Sequence, residues 1–247
     1  LELVRDLAKK YGFEFVSEQG RLGSNASEDI ARRARYGFLR KIAAEQSAKI
    51  ATAHHKNDIV ETIAINLHRG TGWRGLAVLD SPDIWRPLLQ FEKSQILNYA
   101  KRNNLAWRED STNSDEKYLR NKFRRQITAN LNSESTQQIF DLWQAQIRLK
   151  DDIDREVSKI SDKISEQKAD KKYYQRYFLA QIDQKTATEI LRHIILENTG
   201  EILTRQTLLD IWIKLKTTKS GKKIPVSKEW QIIASKTEFS FEKFAKR

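Results

Sequence analysis

A chain of 247 residues, 39% hydrophobic and 32% charged, has room for one large domain or two smaller ones. It contains no cysteine, which excludes disulfides, thiolate zinc sites and cysteine nucleophiles, and no apolar run approaches the roughly 18 residues of a membrane span. A formal net charge of +12, with neither a membrane anchor nor a signal-peptide pattern, points to a polyanionic partner, nucleic acid first, and to the cytoplasm.

Methionine is absent even at position 1. Leu1, Leu3, Val4, Leu7, Ala8 and Tyr11 carry helical spacing from the first residue. The expectation is a sequence that starts inside its protein, with methionines also lost in processing. The first helix is predicted to stop at Tyr11-Gly12, and Phe13 to Val16 to form a short strand. A polar loop over Gln19 to Asn25 leads to a helix capped by Asn25 or Ser27, with Ile30, Ala34, Phe38 and Ile42 on its apolar face. Lys49 to Ala53 reads as a buried strand and Ile59 to Leu67 as a helix ending at Arg69-Gly70. Strand and helix in this alternation predict a parallel α/β sheet.

Glu92 to Asn103 is predicted as a helix, Ala106-Trp107 as a short strand, and Lys117 to Leu131 as a basic helix. From Glu134 to Lys168 one apolar stripe runs through Ile139, Leu142, Trp143, Gln146, Leu149, Ile153, Val157, Ile160 and Ile164, and predicts a long helix with a charged outer face. Helices over 187–198 and 205–216 follow. Lys222 to Val226 and Trp230 to Ser235 then read as a β-hairpin closing a small α/β domain.

The segment with the most chemistry is Ala53-His54-His55-Lys56-Asn57-Asp58-Ile59-Val60-Glu61-Thr62, between a strand and a helix. In an open α/β sheet ligands bind at the carboxyl ends of strands. Asp58 and Glu61, three residues apart, read either as a capping box with Asp58 as N-cap or as two carboxylates facing a cation such as Mg²⁺ or a lysine ammonium. Adjacent histidines on extended backbone point to opposite faces, so His54 and His55 do not make a metal site together. Gly70-Thr71-Gly72-Trp73-Arg74-Gly75 could cradle a phosphate, but it matches neither the Walker nor the dinucleotide pattern. Arg32, Arg33 and Arg35, and the cluster from Arg120 to Arg125, read as solvated basic faces or as grips on a phosphate backbone. Trp73, Trp85 and Trp107 suit base stacking or, more ordinarily, core packing.

Taken in order, these segments resemble the tRNA(Ile)-lysidine synthetase family. Those that carry the resemblance are Ala31 to Tyr36, Ala53 to Thr62, Arg69 to Leu76, Arg86-Pro87-Leu88-Leu89, Glu109 to Asn113 and Tyr118 to Arg124. The resemblance covers roughly residues 1 to 130 well and the rest more loosely. It implies an N-type ATP-pyrophosphatase fold: a Rossmann-like parallel sheet whose N-terminal part is missing, then a long helical linker and a small α/β domain. The implied boundaries are a catalytic domain over 1–132, a linker over 133–172 and a tRNA-binding domain over 173–247. The family's Ser-Gly-Gly-x-Asp-Ser phosphate loop would precede Leu1.

The implied activity adenylates the 2-carbonyl oxygen of the wobble cytidine in an isoleucine tRNA with a CAU anticodon and releases pyrophosphate. Free L-lysine then displaces AMP, which changes codon reading from AUG to AUA. ATP and Mg²⁺ are the implied cofactors, with no resident metal, and a homodimer is compatible. By resemblance, Asp58, Glu61 and Arg32 are catalytic, and His54, His55, Asn57 and Arg35 bind substrate. Arg69, Arg74, Arg120, Asn121 and Arg124 contact RNA or phosphate. The family usually carries two aspartates where this chain has Asn57-Asp58. A related ATP-pyrophosphatase modifying another tRNA, and an inactive RNA-binding remnant, are the alternatives.

Overall fold

The computed structural model describes residues 1–20, 23, 27–108, 123, 126 and 130–244. The chain divides into two compact units, one of residues 1–58 and 80–108, the other of residues 59–79 and 109–247. No helix among the described residues is long and apolar enough to cross a membrane.

The first unit opens on α1 (Glu2–Tyr11), which stops where expected: Gly12 takes a left-handed conformation, φ 71°, and returns its N–H to the last turn. Helix α2 (Glu28–Glu45) starts at Ser27, whose hydroxyl accepts the Ile30 N–H. Strand β1 (Ile50–Ala51) pairs in parallel with β2 (Ile84–Trp85), and the Thr52 N–H donates to the Trp85 carbonyl at 2.9 Å, extending the ladder. The core of this unit is Tyr36, Ile50 and Ile84, with Leu39 and Ala43 packed against them. The buried face of α2 is therefore Tyr36, Leu39 and Ala43 at helical spacing. It is not the expected stripe, since Ile30 and Ala34 are exposed. Helix α4 (Lys93–Arg102) begins with a capping box in which Glu92 and Gln95 satisfy each other's backbone.

Two predicted strands are absent. Phe13 to Val16 and Ala106-Trp107 adopt no regular structure, and Phe13 is 73% exposed. A run this short is a strand only when a neighbour completes its hydrogen bonds. The predicted Lys117–Leu131 helix lies largely outside the described residues.

Helix α3 (Lys56–His68) carries the chain across the unit division, between Asp58 and Ile59. The second unit then has a short 3-10 turn (Trp73–Leu76) and the long helix α5 (Ser133–Lys163), capped by the Asn132 side chain on Ser135 N–H. A five-stranded antiparallel sheet follows, in the order β3 (Ser165–Lys168), β4 (Lys171–Gln175), β7 (Glu238–Lys243), β6 (Trp230–Ala234), β5 (Lys222–Pro225). Between β4 and β5 lie α6 (Arg176–Gln181), α7 (Gln184–Thr199) and α8 (Arg205–Thr217).

The long helix, α7, α8 and the β5–β6 hairpin match their sequence readings. The long helix stops five residues early because Ser165 to Lys168 turns into β3. Among the described residues that strand pairs only with β4, and it carries no apolar residue to announce it.

The core of this unit forms because three elements present apolar stripes to one another. Helix α7 buries Ala187, Ile190, Leu191, Ile194 and Ile195, and α8 buries Leu208, Ile211, Trp212 and Leu215, both at i, i+3, i+4 spacing. The sheet contributes Tyr174, Ile232, Phe239 and Phe241, with Tyr174 stacked on Phe239 at 5.4 Å between centroids. Arg176 is the buried cation of this core. Its Nε donates to the Leu215 carbonyl at 2.5 Å, one Nη to Ser235 O at 2.7 Å and the other to Thr218 O. The Leu215 and Thr218 carbonyls are at the negative end of α8, where a guanidinium is favoured twice over.

Two stability effects follow. Ile194→Ala removes a fully buried side chain and should cost about 2–5 kcal/mol in denaturant unfolding. Arg176→Met keeps the bulk but orphans buried carbonyls, and should cost roughly 3 kcal/mol or more by the same measurement. A loss below ~1 kcal/mol would show that water replaces the guanidinium.

Candidate functional site

The site grows out of the turn between β1 and α3. A helix start leaves four N–H groups without intrahelical partners. Here the helix begins at Lys56, three residues earlier than a cap at Asp58 would place it. Asp58 sits in the first turn and reaches back, its Oδ2 accepting the His55 N–H at 2.9 Å, with His55 Nδ1 at 3.4 Å from the same oxygen. Asp58 is thus the reaching partner of a cap and not the N-cap itself. Its carboxylate also favours the positive end of the α3 dipole. Glu61 follows one turn later on the same helix. Both are buried, Asp58 at 8% and Glu61 at 4% exposure, where carboxylates are rare.

Asn57 serves a different helix. Its Oδ1 accepts the Lys93 N–H at 2.9 Å, at the first residue of α4. That role requires an oxygen acceptor and no charge, so asparagine serves it as an aspartate would.

His54 Nδ1 lies 2.8 Å from Thr52 Oγ1, which orients its ring. His54, Ala53 and Thr52 line a cavity of about 340 Å³ together with Arg35, Tyr36 and Leu39 from α2. The volume is at the lower end of the range for small-molecule sites. Two expected substrate-binding residues, Arg35 and His54, are thereby brought to one cavity at the carboxyl end of a parallel strand. Arg32 and Arg35 both lie against the Tyr36 ring, at 5.4 and 5.5 Å from its centroid, so the buried tyrosine positions both guanidinium groups.

Two cations of the motif segments were assigned no role in the sequence reading. Lys56 is buried at the first position of α3, and its N–H donates to the Phe91 carbonyl. Arg86 is buried just past β2. One Nη donates to Ile84 O at 3.3 Å, and Nε has no hydrogen-bond partner among the described residues. The signal for Arg86 was its place before Pro87 at a strand end, where helix continuation is disfavoured.

The expected RNA- and phosphate-contacting residues divide. Arg69 is exposed beyond the end of α3. Arg120, Asn121 and Arg124 lie outside the described residues. Arg74 is held by acids: its Nε is 2.7 Å from Glu189 Oε2 and an Nη is 2.7 Å from Asp154 Oδ1. Burial raises the Asp154 pKa, but the hydrogen bond and charge of Arg74, with Arg192 and Lys150 nearby, outweigh it and hold the carboxyl below its ordinary value. The loop around Arg74 needs the glycine that follows it. A Cβ on Gly75 would fall 1.8 Å from Thr71 Oγ1, and the Gly75 carbonyl accepts from Asn66 Nδ2 at 2.7 Å.

Among the described residues no three or more His, Asp or Glu side chains converge on one point. Mg²⁺ asks for less, commonly one or two carboxylates with waters and nucleotide phosphates completing the octahedron. Asp58 and Glu61 are of the right donor type.

The PP-loop domain family matches residues 1–131 of the chain. The tRNA(Ile)-lysidine synthase of Thermotoga maritima is 47% identical over 103 residues, 40% of this chain and 25% of that protein. That of Pseudothermotoga lettingae is 39% identical over 143 residues, 56% of this chain and 32% of the relative. That of Persephonella marina is 30% identical over 247 residues, 96% of this chain and 54% of the relative. The chain therefore spans from a quarter to about half the length of these curated relatives. The resemblance carried by the motifs is borne out, and the chain belongs to the PP-loop domain family.

Proposed function

We propose that the chain is the core of a tRNA(Ile)-lysidine synthetase, a ligase that joins L-lysine to the wobble cytidine of an isoleucine tRNA at the expense of ATP. The observation that carries this reading is the pair of buried carboxylates, one turn apart on α3, that follows directly on the carboxyl end of a parallel strand.

The chemistry asks for two steps. The cytidine 2-carbonyl oxygen attacks the α-phosphorus of ATP, the α–β phosphoanhydride breaks, and pyrophosphate leaves. The lysine ε-amine then attacks C2, the C2–O bond breaks, and AMP departs with the oxygen while the amine gives up a proton. The first step develops negative charge on phosphate oxygens, which Arg32 and Arg35 are suited to stabilise in Coulombic terms. Mg²⁺, when bound, would supply further neutralisation. The second step requires a cationic amino acid to be held and its ε-nitrogen to be freed of a proton. Asp58 and Glu61 provide the negative charge for holding it and a base for the proton. The target base must leave its stack to reach this turn, and in this reading His54, which lines the 340 Å³ cavity, meets it. Arg69, Arg120, Asn121 and Arg124 complete the reading as contacts to the RNA backbone. The partners are thus isoleucine tRNA with a CAU anticodon and free L-lysine, in the cytoplasm.

The direct test incubates the full-length protein with ATP, labelled lysine and isoleucine tRNA. Label should enter the tRNA only when ATP is present. ATP binding with no transfer to this tRNA would sink the ligase assignment and favour an RNA-binding role.

Asp58→Asn separates charge from capping, because an amide oxygen still accepts the His55 N–H. The variant should melt within a few degrees of the parent while transfer falls by roughly 100-fold or more. Retained transfer would reduce Asp58 to a helix cap.

A further inference from the structure

The Gly70–Gly75 loop does not stand alone at the end of α3. Two arginines and two carboxylates alternate around it. Arg74 meets Glu189 and Asp154 at 2.7 Å each, and Arg192 meets the same two acids at 3.3 and 2.9 Å. Lys150 adds a third cation at 3.4 Å from Asp154. Trp73 Nε1 donates to the other Glu189 oxygen at 3.2 Å, and the Arg74 guanidinium stacks over the Trp73 ring at 4.5 Å. Gln146 Nε2 reaches the Trp73 carbonyl at 3.1 Å, and Trp143 Nε1 the Val78 carbonyl at 2.8 Å. The side chains of Arg74, Asp154, Glu189 and Arg192 are between 19% and 33% exposed, so solvent screens them only in part.

These contacts join three elements of one unit. Glu61 rides on α3. Asn66 of the same helix is bonded to Gly75. Arg74, beside Gly75, is bonded to α5 through Asp154 and to α7 through Glu189. The loop also lines a cavity of about 540 Å³ together with Lys185 and Arg205. An arginine whose donors already meet two acids is poorly suited to grip a phosphate as well. Taking it would leave Glu189 and Asp154 with one guanidinium fewer, held by Arg192 and Lys150.

We propose that Arg74 is a positioning residue. Through Glu189 and Asp154 it fixes the Gly70–Gly75 loop against α5 and α7, and so sets the end of the helix that carries Glu61. This rests on the lysine-transfer reading for its functional consequence but not for its structural one.

The test uses the full-length protein with Arg74→Gln, the near-isosteric Glu189→Gln, the double variant and Arg74→Lys. Asp154→Asn stands in if Arg74→Gln does not fold. Three quantities are read: transfer kinetics, the salt dependence of tRNA binding, and amide hydrogen exchange over residues 66–76. Arg74→Gln and Glu189→Gln should each lower kcat roughly 10- to 100-fold with the KM for tRNA little changed. The double variant should lose no more than the worse single, since both break one network. Arg74→Lys should recover part of the loss. Loop exchange should quicken in both single variants, and the slope of log K against log salt should stay that of the parent. The proposal is overturned if Arg74→Gln flattens that slope by about one unit while Glu189→Gln keeps parental activity and exchange, for Arg74 then grips phosphate directly. Unchanged exchange in both variants also overturns it. A parent protein that transfers no lysine defeats the ligase reading, while exchange and salt slope still decide the role of Arg74.

Discussion

The constraint on which the site depends is that α3 starts where β1 ends and must satisfy its first N–H groups within a turn of a few residues. Asp58 resolves this by reaching back to His55, and Asn57 does the corresponding service for α4. One polar side chain on each side of the turn thus fixes where two helices begin. The consequence is chemical. A carboxylate that accepts a backbone N–H can accept more than one hydrogen bond. In a buried turn that carboxylate is already oriented before any ligand arrives, and orientation fixed in advance is what electrostatic catalysis requires. Capping and ligand binding are therefore compatible uses of Asp58.

The two units obtain their stability differently. The second has a continuous core in which α7 and α8 bury nine side chains against the sheet. The first holds α2 to a two-stranded parallel sheet through a cluster of Tyr36, Ile50 and Ile84. In that smaller core Tyr36 does double service: its ring fills the space between helix and strand, and Arg32 and Arg35 rest on its face. A cation–π contact of this kind contributes about 0.5–1 kcal/mol at exposed positions, too little to hold a fold. It is enough to bias two long side chains toward one rotamer each, which reduces the entropy lost when they engage an anion.

What could be read from the chain depended on how local the governing interaction was. The α7 and α8 stripes, the Gly12 stop and the Ser27 cap are all decided within about one or two turns, and each was legible, the cap as one of two positions with Asn25. The β5–β6 hairpin was legible from two apolar runs around Ser227 to Glu229. Strand β3 was not, because its four residues Ser165 to Lys168 are polar and its pairing with β4 alone makes it a strand. Phe13 to Val16 failed in the opposite sense, with strand composition and no pairing among the described residues. In the site, the strand-to-helix turn and its two carboxylates were visible as a local pattern, although the helix start was misplaced by three residues. The surroundings of Arg74 were not visible, since its carboxylate partners lie 80 and 115 residues away in the chain.

Arg74 also bears on how a basic sequence should be understood. A net charge of +12 attracts polyanions at long range whatever the individual contacts. Yet Arg176 spends its donors on carbonyls at the end of α8, and Arg74 and Arg192 spend theirs on Asp154 and Glu189. Arg33 is paired with Asp29 on the surface, a contact weak enough for a phosphate to displace. The arginines that build the fold and those that could meet RNA are thus chemically alike but differ in what already holds them. A buried guanidinium bonded to carbonyls cannot be withdrawn without orphaning its acceptors, whereas an exposed one leaves its carboxylate to water at little cost. By that criterion Arg69 on the surface remains suited to a backbone contact, and Arg74, from the same glycine-rich segment, is suited to hold the segment in place.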